Sequence, residues 1–279
     1  MALWTPANST SPLWLDGSDS TTLYNATTGG SLVASDGSIA RWEDKSGNGR
    51  HVTQSTLANR PLRKTSVLNG LDVVRFDGVN DLLETTFSSF GSSHYSIAIV
   101  RASNFTTAIG GIFVCRSKTL ANPINPQISF NTGVSQYAIR DDAGSVNSNS
   151  ISGLVDNTWY SLSGLRDGSN VTTYRNGVPG VTGTNAIGTA TTGVTSVGAL
   201  YSGGSFPNSW VNGDIAEIVV VPALYRLETE GYIHWKWGLQ ASLPSDHPYK
   251  NAAPRTGIAR PKINGSLLNR GLINGSLLR

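Results

Sequence analysis

The sequence predicts an all-β antiparallel sandwich with one short C-terminal helix and an extended C-terminal tail. Three observations carry this prediction. Charged residues make up only 14% of the 279 residues, while glycine occurs 31 times among many Ser, Thr and Asn. That balance suits short strands and tight turns rather than helices, which favour Ala, Leu, Glu, Lys and Arg. Alternating apolar runs recur along the chain with turn residues between them, the pattern of a sandwich. An apolar share of 38% supports a core, yet no run approaches the ~20 apolar residues of a membrane span, so membrane insertion is not expected.

The elements follow in order. Residues 94–102 place apolar side chains at Tyr95, Ile97 and Ile99, and a second run, Ile109–Cys115, follows a polar break. Gln127–Asn131 and Gln136–Arg140 flank the turn signal Thr132-Gly133. Trp159–Arg166 and Val171–Arg175 surround Asp167-Gly168-Ser169-Asn170 and read as a hairpin, with Asn176-Gly177 closing its second strand. Ile215–Val221 reads as a central strand buried on both faces. Leu224–Leu239 fits a short helix whose packed face holds Leu224, Leu227, Ile233, Trp235 and Leu239, with Gly238 as its stop.

The formal charge is +3, but its distribution is uneven. Residues 255–279 hold Arg255, Arg260, Lys262, Arg270 and Arg279 and no acid, which leaves 16 basic against 18 acidic residues in 1–254. So neutral a body argues against a broad nucleic-acid-binding face, and no nucleic-acid partner is expected. The tail carries Ile-Asn-Gly-Ser-Leu-Leu twice, at 263–268 and 273–278. Two copies are too few for a self-packing solenoid, and such apolar residues are not typical of disordered linkers. Cys115, the one cysteine, lies in an apolar run and reads as a small buried hydrophobe. The start, Met1-Ala2-Leu3-Trp4, lacks the charged and apolar regions of a signal peptide. The expected organisation is a lead-in (1–10), a sandwich (11–254) and a basic docking tail (255–279).

Several motifs carry a resemblance. Leu13-Trp14-Leu15-Asp16-Gly17, Arg41-Trp42-Glu43-Asp44-Lys45-Ser46-Gly47-Asn48-Gly49, Val73-Val74-Arg75-Phe76-Asp77-Gly78, Gly213-Asp214-Ile215-Ala216-Glu217 and Gly231-Tyr232-Ile233-His234-Trp235-Lys236-Trp237 resemble segments of the laminin-G-like, concanavalin A-like sandwich domains. The resemblance covers about residues 11–254 and implies a concanavalin A-like antiparallel β-sandwich, or jelly roll. It says little about function, because that fold serves lectins, glycanases, adhesion modules and virion proteins alike. A stand-alone domain of this kind also resembles bacteriophage tail or capsid-surface proteins.

Chemistry is scarce. Glycanases of the fold that the chain resembles place their carboxylates on one strand as Glu-x-Asp-x-Glu, where alternation puts them on one face, and retaining hydrolysis needs two carboxyls about 5 Å apart. No such triplet occurs; Glu217 stands alone in its strand, and Glu43-Asp44 and Asp141-Asp142 are adjacent pairs. His51, His94, His234 and His247 lack metal-ligand spacing. No Gly-x-Ser-x-Gly elbow is present, and Ser46-Gly47-Asn48-Gly49 lacks the Gly-Lys-Ser/Thr ending of a phosphate loop, reading instead as a turn with Asn and Gly at positive φ. Asp77, Asn80 and Asp81 form a candidate calcium loop; no other cofactor is expected. For glycan binding, which needs exposed aromatics beside polar groups, Tyr201, Asn208 and Trp210 are the candidates. Trp14, Trp42, Trp159, Trp235 and Trp237 are assigned to the core.

The leading expectation is a non-enzymatic virion structural protein, a capsid-surface decoration or tail-fibre component. Its tail would dock onto other virion proteins through Arg260, Lys262, Ile263, Leu267, Leu268, Arg270, Ile273, Leu277 and Leu278. Fully extended, 25 residues reach about 80 Å. A homo-oligomer, a trimer by analogy with fibre proteins, is expected. The alternative is a carbohydrate-binding adhesin that contacts a host-surface glycan; a glycoside hydrolase ranks last.

Overall fold

The computed structural model describes residues 1–86, 90–116, 124–190, 193–201 and 207–257, without the side chains of residues 201, 207 and 208. One sheet contains β1 (Leu13–Asp16), β5 (Leu62–Leu68), β6 (Leu71–Asp77), β8 (Ser93–Ala102), β13 (Tyr160–Asp167), β14 (Asn170–Arg175), β15 (Val178–Gly183) and β19 (Asn212–Val221). The other contains β2 (Leu23–Tyr24), β3 (Arg41–Trp42), β4 (Val52–Thr53), β7 (Leu83–Thr85), β9 (Ile109–Arg116), β10 (Ile124–Asn131), β11 (Val134–Arg140), β12 (Val146–Ser152) and β16 (Val194–Val197). A small hairpin pairs β17 (Ala199–Tyr201) with β18 (Pro207–Trp210). Helix α1 (Arg226–Lys236) packs outside the first sheet. All pairings between named strands are antiparallel, as a meandering chain with short turns requires.

The expected hairpin forms between β13 and β14, turning at Gly168 (φ 62°). β10 and β11 turn through Thr132 (φ 41°) and Gly133 (φ 84°), and Asn176 (φ 51°) and Gly177 (φ 75°), expected to close β14, turn it into a further hairpin with β15. Two consecutive positive φ values match the right-handed twist of a tight hairpin. The Ser46–Gly49 turn departs from expectation in one respect: Gly47 and Gly49 carry positive φ, but Asn48 does not. Asn48 is there for its side chain, which donates to the carbonyl oxygens of Ser11 (2.9 Å) and Pro12 (3.3 Å).

The first sheet is buried on both faces, giving three layers. Between the sheets, Leu15, Trp42, Phe76, Val100, Phe113, Phe130, Tyr137 and Ile218 form one core. Between the first sheet and α1, Trp14, Tyr95, Ile97, Ile99, Val219, Ile233 and Trp237 form a second. The alternation in β8 is therefore two-sided: Tyr95, Ile97 and Ile99 meet the helix, while Ala98, Val100 and Ala102 meet the opposing sheet. Gly164 on β13 leaves room for the Tyr137 ring, which would overlap any Cβ placed there.

Helix α1 ends as its sequence indicates. Gly238 (φ 70°) takes the left-handed position, the Leu239 N–H reaches the His234 oxygen (2.8 Å) and the Gly238 N–H reaches the Trp235 oxygen (3.4 Å). Its packed face differs from the expected apolar set: Leu224 is 59% exposed and Trp235 half-buried, while Glu230 and His234 are fully buried. The face is polar because it encloses a hydrogen-bonded carboxylate. Glu230 accepts from Arg226 (2.8 Å), the Tyr95 hydroxyl (2.8 Å) and His247 (3.1 Å), and although burial opposes ionisation, Arg226 and His247 bring it down to about 2. Residues 2–4 lie against 254–256: the Trp4 N–H donates to the Pro254 oxygen and the Thr256 N–H to the Ala2 oxygen.

Asp44 fixes the first strand. Its carboxylate accepts the N–H groups of Trp14 (3.0 Å), Ser46 (2.9 Å) and Arg50 (3.1 Å) and the Ser46 hydroxyl (2.7 Å), all at a buried position. Leaving several such donors unsatisfied costs on the order of 3 kcal/mol. Asp44→Ala is expected to lower the unfolding free energy in urea by about that much; a loss below about 1 kcal/mol would show that the latch is dispensable.

Candidate functional site

At one end of the sandwich the loops at 77–82, 103–108, 154–159 and 209–212 meet. Asp77, the last residue of β6, turns the first of them: its Oδ1 accepts the N–H groups of Val79 (2.8 Å), Asn80 (3.1 Å) and Asp81 (3.2 Å). Gly78 (φ 77°) then passes directly over β19, where an added Cβ would sit 2.5 Å from Cβ of Asn212. Asp77 and Asn212 are register partners. Asp81 folds back, its Oδ2 accepting the Asp77 N–H (2.9 Å). Burial, reinforced by the Asp77 charge, pushes the Asp81 carboxyl up to about 6.

Asn104 ties the next loop to the same place. Its amide donates to the Trp210 oxygen (3.2 Å), and its Oδ1 accepts the Asn212 N–H (3.3 Å). Asn212 is exposed, and Trp210, ending β18, is half-buried. Asp156 anchors the third loop by accepting the Thr106 N–H and hydroxyl, each at 2.8 Å. Asp77, Asn104 and Asn212 thus meet at the backbone of the half-buried Trp210.

The candidates singled out separately in the sequence, the Asp77 loop and Trp210, are thus brought to one end of the fold. Asp77, Asn80 and Asp81 stand together, but one oxygen each of Asp77 and Asp81 is committed to backbone N–H groups. Among the described residues no group of three or more His, Cys, Asp or Glu side chains could hold a metal. Asn80 Oδ1 is buried without a hydrogen-bond partner, and calcium, which takes six to eight oxygens, would need backbone carbonyls or water beyond these three side chains. The side chains of Tyr201 and Asn208 lie outside the described residues, as do the tail positions Arg260, Lys262, Ile263, Leu267, Leu268, Arg270, Ile273, Leu277 and Leu278. Trp14, Trp42 and Trp237 are buried as expected, whereas Trp159 and Trp235 are only half-buried. Trp235 donates to the Tyr249 oxygen (2.8 Å), and Trp159 lies under the Arg101 guanidinium (5.1 Å).

A carboxylate pair the sequence did not reveal lies under α1. Glu217 is not alone: Asp16 is its register partner on β1. Lys236 bridges them, at 2.6 Å from Asp16 and 2.8 Å from Glu217. Glu217 also accepts from Trp14 Nε1 (2.7 Å), Trp237 Nε1 (2.6 Å) and the Tyr232 hydroxyl (2.9 Å). Burial and the Asp16 charge raise Glu217 above the ordinary range; burial acts likewise on Asp16, but Lys236 and Lys45 outweigh it and hold Asp16 below its range. Opposed shifts of this kind mark acid/base pairs in glycosidases. Here four donors saturate Glu217, which is wholly buried, so the pair joins strands and helix and has no face for a substrate. The histidines are likewise engaged separately: His51 with the Asp44 N–H, His94 with Tyr137, His234 with Ser161 and His247 with Glu230.

No protein-family model and no curated protein matches the chain. Solved structures do. The ligand-binding domain of botulinum neurotoxin serotype D in complex with N-acetylneuraminic acid matches with a TM-score of 0.50 and 12% identity over 78% of this chain and 49% of that one. The receptor-binding domain of the botulinum neurotoxin C/D mosaic serotype gives 0.51 and 11% over 77% and 48%. The chain therefore spans about half the length of the structures it resembles. At such identity the likeness concerns the fold, a lectin-like β-sandwich.

The raised Asp81 carboxyl has a consequence for stability. With a folded pKa of about 6 against an ordinary 3.8, Asp81 favours the native state at low pH, and that contribution is lost as pH rises through about 6. Relative to the native protein, Asp81→Asn is expected to gain thermal stability between pH 4 and pH 7; parallel melting curves across this range would contradict the assignment.

Proposed function

We propose that this domain is a non-catalytic, glycan-binding sandwich and that the loop end at Trp210 receives the sugar. The observation that carries the reading is the half-buried Trp210, whose backbone Asn104 ties to Asn212, the register partner of Asp77, at the loop end of the sandwich. An indole stacks on the apolar face of a pyranose, while amides and carboxylates orient its hydroxyls. Because the loops are locked to one another through backbone groups, little ordering entropy is spent on binding. The similarity to a domain solved with N-acetylneuraminic acid supports the reading at the level of fold. The buried, saturated state of Glu217 supports the absence of hydrolysis.

A second reading, favoured by the repeat and the acid-free composition of residues 255–279, is a virion structural protein whose tail anchors it to neighbouring subunits. The two are compatible, since a displayed sandwich can bind glycans. One set of proteins addresses both: the full chain, Trp210→Ala, and a chain ending at Gly257, which keeps the contacts of residues 2–4. On a glycan array Trp210→Ala is expected to lose at least about tenfold in signal with an unchanged melting temperature. Unfolding of that variant would instead make Trp210 a packing residue. The shortened chain is expected to bind glycans as the full chain does but to lose its defined oligomer or partner; an unchanged assembly state would remove the anchoring role.

A further inference from the structure

Lys236, at the end of α1, lies where the two carboxylates under the helix meet. Its Nζ is 2.6 Å from Asp16 Oδ1 and 2.8 Å from Glu217 Oε2. All three side chains are largely withdrawn from water: Asp16 is 5% exposed, Glu217 0% and Lys236 17%. Aromatic rings wall the site. The ammonium is 5.7 Å from the Tyr232 ring centre and 5.1 Å from that of Trp237, and the Trp14 indole donates to the other oxygen of Glu217. Asp16 is polarised from both sides: Oδ2 accepts from Lys45 (2.9 Å), and Oδ1 accepts the Ser18 N–H (3.1 Å) and hydroxyl (2.7 Å). An amine, a carboxyl in contact with it, a proton acceptor on the amine and a cation on the second carboxyl oxygen are thus assembled at one point. The other buried carboxylate of this layer lacks that set. Glu230 is held by Arg226, and a guanidinium that stays protonated is no nucleophile.

We propose that Lys236 and Asp16 condense into an intramolecular amide bond, with Glu217 carrying the protons. Burial opposes the charge on Asp16, but Lys236 and Lys45 hold it ionised, so the starting state is the ion pair. Burial and the Asp16 charge raise Glu217 above its ordinary range, which makes it the better proton acceptor. Glu217 takes a proton from the Lys236 ammonium and passes it to Asp16 Oδ1, leaving an amine against a neutral carboxyl. The Nζ lone pair attacks Asp16 Cγ, and the displaced electron pair moves onto Oδ2, where Lys45 stabilises it. Glu217 then moves a second proton from Nζ to Oδ1, the Cγ–Oδ1 bond breaks, water leaves and Oδ2 becomes the amide carbonyl. One C–N bond forms and one C–O bond breaks; nitrogen goes from three protons to one, nothing is oxidised or reduced, and Glu217 ends as it began. The amide N–H that remains donates to Glu217 in place of the ammonium. Groups held in contact react as if at an effective concentration on the order of 10⁵ M or higher, and the step removes two charges whose burial is costly. The bond spans 220 residues of sequence and ties the first strand to the helix that closes its sheet. It is a single event without turnover, and it is independent of what the loop end binds.

The test is the intact mass of the full chain under denaturing conditions, followed by a protease map. The native chain is expected to weigh about 18 Da less than its sequence, the mass of one water, and the map to yield one branched peptide joining Asp16 to Lys236. Lys236→Arg keeps a cation between the carboxylates and is expected to restore the full mass. Glu217→Gln keeps a polar side chain at the amine and is expected to carry the full mass on isolation. The full sequence mass in the native chain would overturn the bond, whether or not the variants fold. A deficit that survives Lys236→Arg would place the lost water elsewhere, as in an imide at Asp16-Gly17, and would equally overturn it. A branched peptide containing Lys45 in place of Lys236 would overturn the assignment, and a complete cross-link in Glu217→Gln would remove Glu217 as the proton carrier.

Discussion

The architecture turns on the buried carboxylate of Glu217. Four donors from three elements converge on it: Trp14 from β1, and Tyr232, Lys236 and Trp237 from α1 and its cap. One carboxylate therefore joins the first strand to the last strand and the helix that follows it, across 203 residues of sequence between Trp14 and Glu217. Removing a single partner would strand a charge in an apolar layer, which is why such a network holds a unique arrangement even where its net contribution to stability is modest. Glu230 repeats the device on the same helix, tying Tyr95 of β8 and His247 of the closing segment. Together they close the first sheet with a lid whose polar atoms are spent on the fold.

That allocation separates scaffold from surface. On the helix side, carboxylates, indoles and imidazoles resemble catalytic equipment but face inward and are saturated. At the loop end, side chains bond to backbone groups of neighbouring loops, and Asn212 stays exposed with Trp210 half-buried beside it. The same residue types thus play opposite parts according to where the sandwich places them, and a list of Trp, Asp and Glu cannot separate the two sets.

Much of the strand framework was legible because alternation and turn chemistry are local. Thr132-Gly133 and Asn176-Gly177 sit at positive φ, where a two-residue turn needs them. The helix was legible in extent but not in face, since Glu230 and His234 break the apolar period while remaining buried. The pairing of Asp16 with Glu217, and the meeting of the Asp77 loop with Trp210, depend on register between distant strands, which no local pattern encodes. Asn48 was read as a turn former, whereas its value lies in bonds to residues 36 and 37 positions earlier.

If the helix side is locked and the loop end receives the ligand, the two sides differ in the indole and side-chain amide resonances of the ¹⁵N-labelled protein during titration with a glycan that binds it. Shifts are expected at the Trp210 indole and at the amides of Asn104 and Asn212, with the Trp14 and Trp237 indoles, held on Glu217, unmoved. Shifts centred on Trp14, Trp237 or Trp235, with Trp210 silent, would contradict it.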